Sequence, residues 1–362
     1  MTKSTCIRTV LSLFFIINTL YSEAQILVPR VPSPGSSVSQ TVGISTITVT
    51  YSRPSVNKRE IWGALVPYGW NVQGFGNGVS APWRSGANEN TVLHLSHDAT
   101  VEGTPVPAGD YGLFFVINKD NTGEVILSKD YASWGSFFYN PARDQMRAKI
   151  TIRDLSYFTE RLTYEFDSVS KDMAELDLVW EKKQFPVKIQ FDVDAIFKNY
   201  AMEVLNGQQG FFWQNNNAAA NYALNNKVYA DQGIAWADRA ITQTPLMAPS
   251  ITKAGLLDLQ GKHAESEKLM ADAMKNASEN DMNNYGYQLL GNKEFTKAIN
   301  VMKMNAQNHP TSANAWDSLG EAYALAGDKQ NAIANFKKSL SLNPPAPVKA
   351  NSEKYLKQLG AM

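Results

Sequence analysis

Cysteine is nearly absent from this chain of 362 residues, Cys6 being the only one. No disulfide framework, thiolate metal site or cysteine nucleophile can be built downstream of it. Histidine is scarce as well, at four residues, and none stands in the zinc-protease pattern H-E-x-x-H. The phosphate-cradling G-x-x-x-x-G-K-[ST] and the nucleophile elbow G-x-S-x-G are missing too. An excess of one charge is lacking: 34 Lys and Arg face 34 Asp and Glu, and both halves of the chain are close to balanced. A protein that tracks nucleic acid needs a basic face, so that class of partner is excluded. Long apolar runs are lacking after residue 20, so no later stretch approaches the roughly 20 residues of a membrane span. No cofactor and no metal is expected.

The one apolar run lies at the start. Lys3 and Arg8 precede Val10 to Leu20, and Ser22 and Ala24 follow in a small-x-small arrangement. This is the pattern of a secretory leader over residues 1–24, cleaved before Gln25. A membrane anchor is the competing reading, but the run is too short for it.

Between Val38 and Val193 the pattern has period two. Ile47, Val49 and Tyr51 alternate with threonines, Leu162, Tyr164 and Phe166 with polar residues, and Leu176, Leu178 and Trp180 with Asp177 and Glu181. Each is read as a strand with one buried and one wet face. Tyr111 to Ile117 is apolar on both faces, as in a central strand. Residues 25–192 are therefore expected to form an antiparallel β-sandwich or barrel-like domain of about eight strands. Arg53 to Asn90 is a long connection rich in glycine and aromatics, too aromatic for disorder and too long for an ordinary loop. It is expected to fold over one end or face of the sheet.

That connection holds the one constellation with chemical potential: Arg53, Trp62, Tyr68, Trp83, Arg84, Asn88 and Glu89. Aromatic faces and a guanidinium fork beside an acid and an amide can grip a polar ligand, such as an envelope glycan. The simpler reading is an internal tie, with Arg84 paired to Glu89, Asn88 capping a turn and the tryptophans pinning the loop. An enzymatic alternative, a hydrolase, would use Glu89 as acid or base with His94 nearby. His94 and His97, at i and i+3 on a strand, point to opposite faces and make a poor metal pair. Ser168-x-x-Lys171 has an acylase spacing, but it lies between strands, where chance explains it.

After Phe191 the texture becomes helical. Asp194 is expected to cap a linker helix within 193–213 that ends at Asn206-Gly207. Residues 214–362 then repeat. Trp316, Leu319, Gly320 and Tyr323 form W-x2-L-G-x2-Y, Ala332 and Phe336 form A-x3-F, and Pro344 closes the unit. This resembles the tetratricopeptide repeat over its full length of about 34 residues. Small residues recur upstream at Ala298, Ser266 and Gly233, with Gly286 and Ala254 as small partners, although the upstream copies lack a counterpart of Trp316. Val348 to Leu359 reads as a capping helix. The resemblance implies a groove for a protein or peptide partner, with Asn280, Asn283, Tyr287, Asn314, Asp317 and Glu321 facing it. A plain spacer is the alternative.

The first half carries Arg59-Glu60-Ile61-Trp62-Gly63-Ala64-Leu65-Val66-Pro67-Tyr68, Trp83-Arg84-Ser85-Gly86-Ala87-Asn88-Glu89, Pro107-Ala108-Gly109-Asp110-Tyr111-Gly112-Leu113-Phe114, Trp134-Gly135 and Tyr139. Over about residues 30–192 it resembles the bacterial family called domain of unknown function 2911. Trp70 to Pro82 stands out as an insertion relative to the usual pattern. The resemblance implies an exported bacterial protein and supplies no activity. The chain is thus expected to be a two-domain α+β protein of the cell envelope, periplasmic or secreted, and a binding or assembly module rather than an enzyme. N-terminal sequencing of the protein from its native host is expected to begin at Gln25. A cytoplasmic form beginning at Met1 would overturn the leader.

Overall fold

The computed structural model describes residues 32–361. The leader expected over residues 1–24 lies outside the described residues. The chain divides into two compact units, with the break between Ile196 and Phe197. No helix of the described residues is long and apolar enough to cross a membrane.

The first unit is an antiparallel β-sandwich. Its larger sheet has six strands in the order β1 (Gly35–Val42), β2 (Ser45–Ser52), β5 (Val92–Leu95), β8 (Gly109–Ile117), β9 (Thr122–Ser128) and β10 (Asp144–Thr151). The smaller sheet has the order β11 (Arg153–Val169), β12 (Met173–Gln190), β6 (Ala99–Val101) and β7 (Thr104–Val106). A separate ribbon pairs β3 (Asn71–Val72) with β4 (Ser80–Ala81). The described residues thus hold more strands than the eight or so expected. The surplus lies in β3, β4, β6 and β7, two or three residues each, too short to show an alternation.

The alternation sorts the side chains as anticipated on β2. Ile47, Val49 and Tyr51 are buried and join Leu162, Tyr164, Leu176, Leu178 and Trp180 in one core between the sheets. On β8 every residue from Tyr111 to Ile117 is buried. Its outward residues Phe114 and Val116, with Ile126 of β9, form a second small cluster covered by Trp70. The cover is supplied by the long loop: Arg147 lies over the Trp70 ring at 4.8 Å, and Tyr139 packs on both Trp70 and Phe114. The segment read as an insertion is therefore the lid of a sheet face that would otherwise be an exposed apolar patch.

β12 departs from expectation. Over its first half the supposed wet face is closed, with Glu175, Asp177 and Val179 all buried, while Lys188 and Gln190 further on are exposed as expected. Glu175 is paired with Arg153 at 2.8 Å. Asp177 is fully buried, and neither carboxylate oxygen makes a full hydrogen bond. Burial pushes its pKa up to about 6; the nearby Gln184 amide is close enough only to moderate this, and Glu175 adds to it.

The second unit is helical. Its first helix begins in the first unit: α1 (Val193–Asn206) is capped by Asp192, which accepts the Ala195 N–H at 3.0 Å, rather than by Asp194, which faces Lys171 at 3.3 Å. Four hairpins follow: α2 (Trp213–Asn226) with α3 (Ala230–Gln243), α4 (Ala248–Leu259) with α5 (His263–Lys275), α6 (Glu279–Gly291) with α7 (Phe295–Asn308), and α8 (Ala313–Leu325) with α9 (Lys329–Ser341). The last helix is α10 (Ala346–Gln358). Gly233, Ser266, Ala298 and Ala332 fall in the second helix of successive hairpins, and all are buried. Their smallness is a packing requirement shared with the first helices. A Cβ at Gly286 would lie 2.7 Å from Met302, and one at Gly320 would lie 2.9 Å from Phe336.

Asp177 generates a pH prediction. An unfolded Asp titrates near ~3.9, and the folded group near 6. Between those values the folded state holds the extra proton, so stability falls as pH rises through the window and the loss is complete above it. Asp177→Asn is expected to raise the melting midpoint of the sandwich at pH 7.5 and to leave it nearly unchanged at pH 4. Calorimetric scans of both proteins across that range check it. An equal shift at both pH values would remove the carboxylate as the cause.

Candidate ligand cleft and repeat groove

One segment organises the open end of the sandwich. The backbone of Trp83 pairs with Phe115 of β8 through two hydrogen bonds of 2.8 and 2.9 Å. Ser85 then turns the chain with φ +50° and is buried. Its hydroxyl donates to the Leu113 carbonyl at 2.7 Å. Its carbonyl accepts from the Tyr164 hydroxyl at 3.0 Å and the Thr91 hydroxyl at 3.1 Å. Asn90 donates to the Asp130 carbonyl at 2.7 Å. A loop that begins on one sheet is thereby fixed to the other sheet and to the 130–139 loop.

Arg84 sits at the centre of this arrangement. One guanidinium nitrogen donates to the Asn88 carbonyl at 2.8 Å, and the group lies 4.7 Å from the Phe137 ring centroid. Gly135 passes beneath it with φ +61°, and a Cβ there would lie 2.2 Å from the Arg84 Cζ. Glycine is required twice over at that position, by the backbone angle and by the guanidinium. Burial lowers the Arg84 pKa, yet a guanidinium stays charged in proteins.

Trp83, Arg84 and Asn88 line a cleft of about 830 Å³. The other residues singled out in the loop do not. Arg53 is an internal clasp, donating to the Leu162 carbonyl at 3.0 Å and the Thr163 hydroxyl at 2.6 Å. Trp62 packs edge-on against Trp83 and Trp180 and donates its indole N–H to Glu181 at 3.2 Å. Tyr68 stands with Trp62 in a separate pocket, and exposed Glu89 lines neither. His94 is absent from the cleft too; it pairs with Asp110 at 2.7 Å, while His97 bonds Ser96 at 3.0 Å. Lys171, of the acylase-like spacing, faces Asp194. Among the described residues no group of three or more His, Cys, Asp or Glu could hold a metal ion.

The cleft also recruits residues that the sequence did not single out. Asn57, Arg59, Asn71 and Gln73 come from the long loop, and Glu160 and Arg161 come from β11. Arg59 stood inside a recognised motif. Arg161 is about a hundred residues away in sequence, and backbone pairing brings the two segments together: the bridge between Ser55 and Arg161, the Val56 N–H on the Glu160 carbonyl and the Leu162 N–H on the Pro54 carbonyl. No local pattern announces it.

In the helical unit, the residues expected in a groove occupy a different place. Tyr287 donates to Glu321 at 3.0 Å, and Tyr355 of α10 donates to the other oxygen of Glu321 at 3.0 Å. Asp317 is only 4% exposed and accepts from Asn351 at 2.8 Å and from Ser352. Asn314 reaches Glu279 at 3.4 Å, the Asn283 amide oxygen is buried, and Asn280 is exposed. Asp317 and Glu321 are thus spent between successive first helices, correcting the expectation that they face an open groove. Burial raises the pKa of Asp317 and of Tyr287, and that of Tyr355 rises to about 12. The open side of α6 is the adjacent stripe, Asp281, Asn284, Tyr285 and Gln288. With Asn217 and Asn221 of α2 it lines a groove of about 310 Å³.

A β-sandwich joined to helical hairpins defines the class. Residues 33–189, within the first part, match the model described as "Protein of unknown function (DUF2911)". Residues 313–346 match that of the tetratricopeptide repeat. The cellulose synthase operon protein C of Escherichia coli (strain K12) is 30% identical over 96 residues, 26% of this chain and 8% of that protein. The chain spans less than a tenth of the curated relatives it matches. Among solved structures, pilF of Pseudomonas aeruginosa aligns with 40% of this chain and 68% of its own, at 17% identity and TM-score 0.26. MamA from Desulfovibrio magneticus RS-1 aligns with 43% and 96%, at 15% identity and TM-score 0.24. Scores this low add nothing to the assignment.

The contact between Arg84 and Gly135 can be tested by a double-mutant cycle. Gly135→Ala forces both an unfavourable backbone angle and a clash, and is expected to cost roughly 1–3 kcal/mol in urea unfolding. In the Arg84→Ala background the clash is gone, so the same change should cost measurably less. Additive effects would show that the two positions do not touch.

Proposed function

We propose that this is an exported, non-enzymatic binding protein of the cell envelope, in which the sandwich is the head that holds an envelope component and the helical hairpins dock a protein partner. The observation that carries the docking arm is the groove beside α2, α4 and α6. Asn217, Asn221, Asn284 and Gln288 supply side-chain amides, which both donate and accept, while Leu224 and Ile251 supply an apolar floor. An extended peptide needs that combination, since its backbone presents donors and acceptors in alternation and its side chains seek apolar pockets. Helical repeats of this type are commonly protein-interaction modules, which supports the reading by analogy of fold. The envelope setting rests on the leader-like first 24 residues.

A photo-crosslinking residue placed at Asn284 or Asn221 tests the docking arm. The same residue at Lys303, on a second helix and outside the groove, serves as the control. In the native host, a discrete adduct identified by mass spectrometry is expected from the first two sites and not from the third. Equal labelling at all three, or none at any, would overturn the groove as the docking surface.

A further inference from the structure

The cleft in the sandwich has a chemical character that narrows its ligand. Three guanidinium groups line it, those of Arg59, Arg84 and Arg161, against one carboxylate, Glu160. That carboxylate is partly spent, because one oxygen accepts the Asn57 backbone N–H at 2.9 Å. Arg59 is turned back on its own loop, donating to the Ser55 and Val56 carbonyls at 2.5 and 3.1 Å. Arg84 is held by Asn88 and Phe137 as described. Arg161 is exposed at the rim, and its guanidinium is not paired with any carboxylate among the described residues. The cleft is therefore electropositive, with one cationic side chain still unengaged.

Size and lining exclude two simple occupants. About 830 Å³ is far more than a lone inorganic anion fills, and the polar walls do not suit an apolar molecule. Asn57, Asn71, Gln73 and Asn88 line it with amides suited to hydroxyl groups. The half-buried Trp83 adds an aromatic surface and the half-buried Pro67 an apolar one, which suit the C–H faces of sugar rings. We infer that the cleft binds an acidic saccharide, a chain of hydroxyl-rich rings bearing carboxylates, with Arg161 at the rim as the anion-engaging group. This rests on the reading of the sandwich as a binding head and names the class of component it holds. Arg161 joins the site through the strand rather than the loop, so the ligand spans the junction between β11 and the long loop.

The test is calorimetric titration of the full chain with an oligogalacturonate and with a neutral galacto-oligosaccharide of equal length, at two salt concentrations. The oligogalacturonate is expected to bind, and more weakly at high salt. Arg161→Ala is expected to weaken it by about tenfold or more, the scale of a charge-assisted hydrogen bond. Lys149→Ala, an exposed cation on β10 away from the cleft, is the control and should leave the affinity unchanged. Among the described residues the Arg161 side chain makes no hydrogen bond or ion pair, so its removal should not unfold the sandwich. Equal binding of the neutral sugar, unaffected by Arg161→Ala, would overturn the acidic class and leave the binding head standing. An equal loss in both variants would overturn the cleft as the anion site. No binding of either sugar would overturn the inference and the binding head together.

Discussion

The guanidinium of Arg84 fills the space that a side chain at residue 135 would take. Trp83 is paired with β8, Asn88 closes the turn over Arg84, and Phe137 lies against it. These contacts tie the 83–91 segment to the 131–139 loop, and Asn77 ties the inserted ribbon to the same loop through the Phe137 and Tyr139 carbonyls. A buried cation is expensive unless its donors are met and its face is covered. Arg84 is half-buried: one of its donors meets the Asn88 carbonyl and the Phe137 ring covers its face, so the charge becomes an organiser of three irregular segments. The cleft walls and the lid over the outer sheet face both depend on it.

Much of this was legible in the sequence. The period-two pattern located β2, β11 and β12, because residues 47, 49 and 51 or 176, 178 and 180 face a shared core, and the unbroken apolar run from Tyr111 to Ile117 located β8. The small residues at 233, 266, 298 and 332 located the hairpins, because close helix approach tolerates nothing larger. What escaped has physical causes. Ribbons of two or three residues carry no period. Asp177 reads as a solvent-facing residue, since a strand's alternation reports its side and not what covers that side. The cap of α1 fell to Asp192 because either aspartate satisfies the same sequence signal, and only the backbone geometry chooses between them.

The site residues divide in the same way. Trp83, Arg84 and Asn88 sit in one continuous motif, so the loop brings them to one cleft. Arg53 and Trp62, equally conspicuous in the sequence, are consumed by the fold, one by the Leu162 carbonyl and the other by Glu181. A guanidinium or an indole in a pattern of glycines signals that something polar must be held, but it does not say whether that is a ligand or the protein's own backbone. Arg161 shows the converse: a plain surface residue on a strand becomes part of a cleft through a pairing that only the tertiary structure sets.

The contacts of Glu321 and Asp317 carry a consequence for how such arrays grow. Tyr287, Glu321 and Tyr355 hold equivalent positions in α6, α8 and α10, and so do Asn283, Asp317 and Asn351. The terminal helix therefore attaches through the same polar positions by which one hairpin recognises the next. An acidic first helix between neighbours bearing hydroxyls and amides behaves as a keyed joint, and two acidic helices in succession would set carboxylates against each other in a poorly solvated seam. Across α6, α8 and α10 the order is thus written as an alternation of chemical type, and that alternation would reject a duplicated last hairpin even where every apolar contact still fitted.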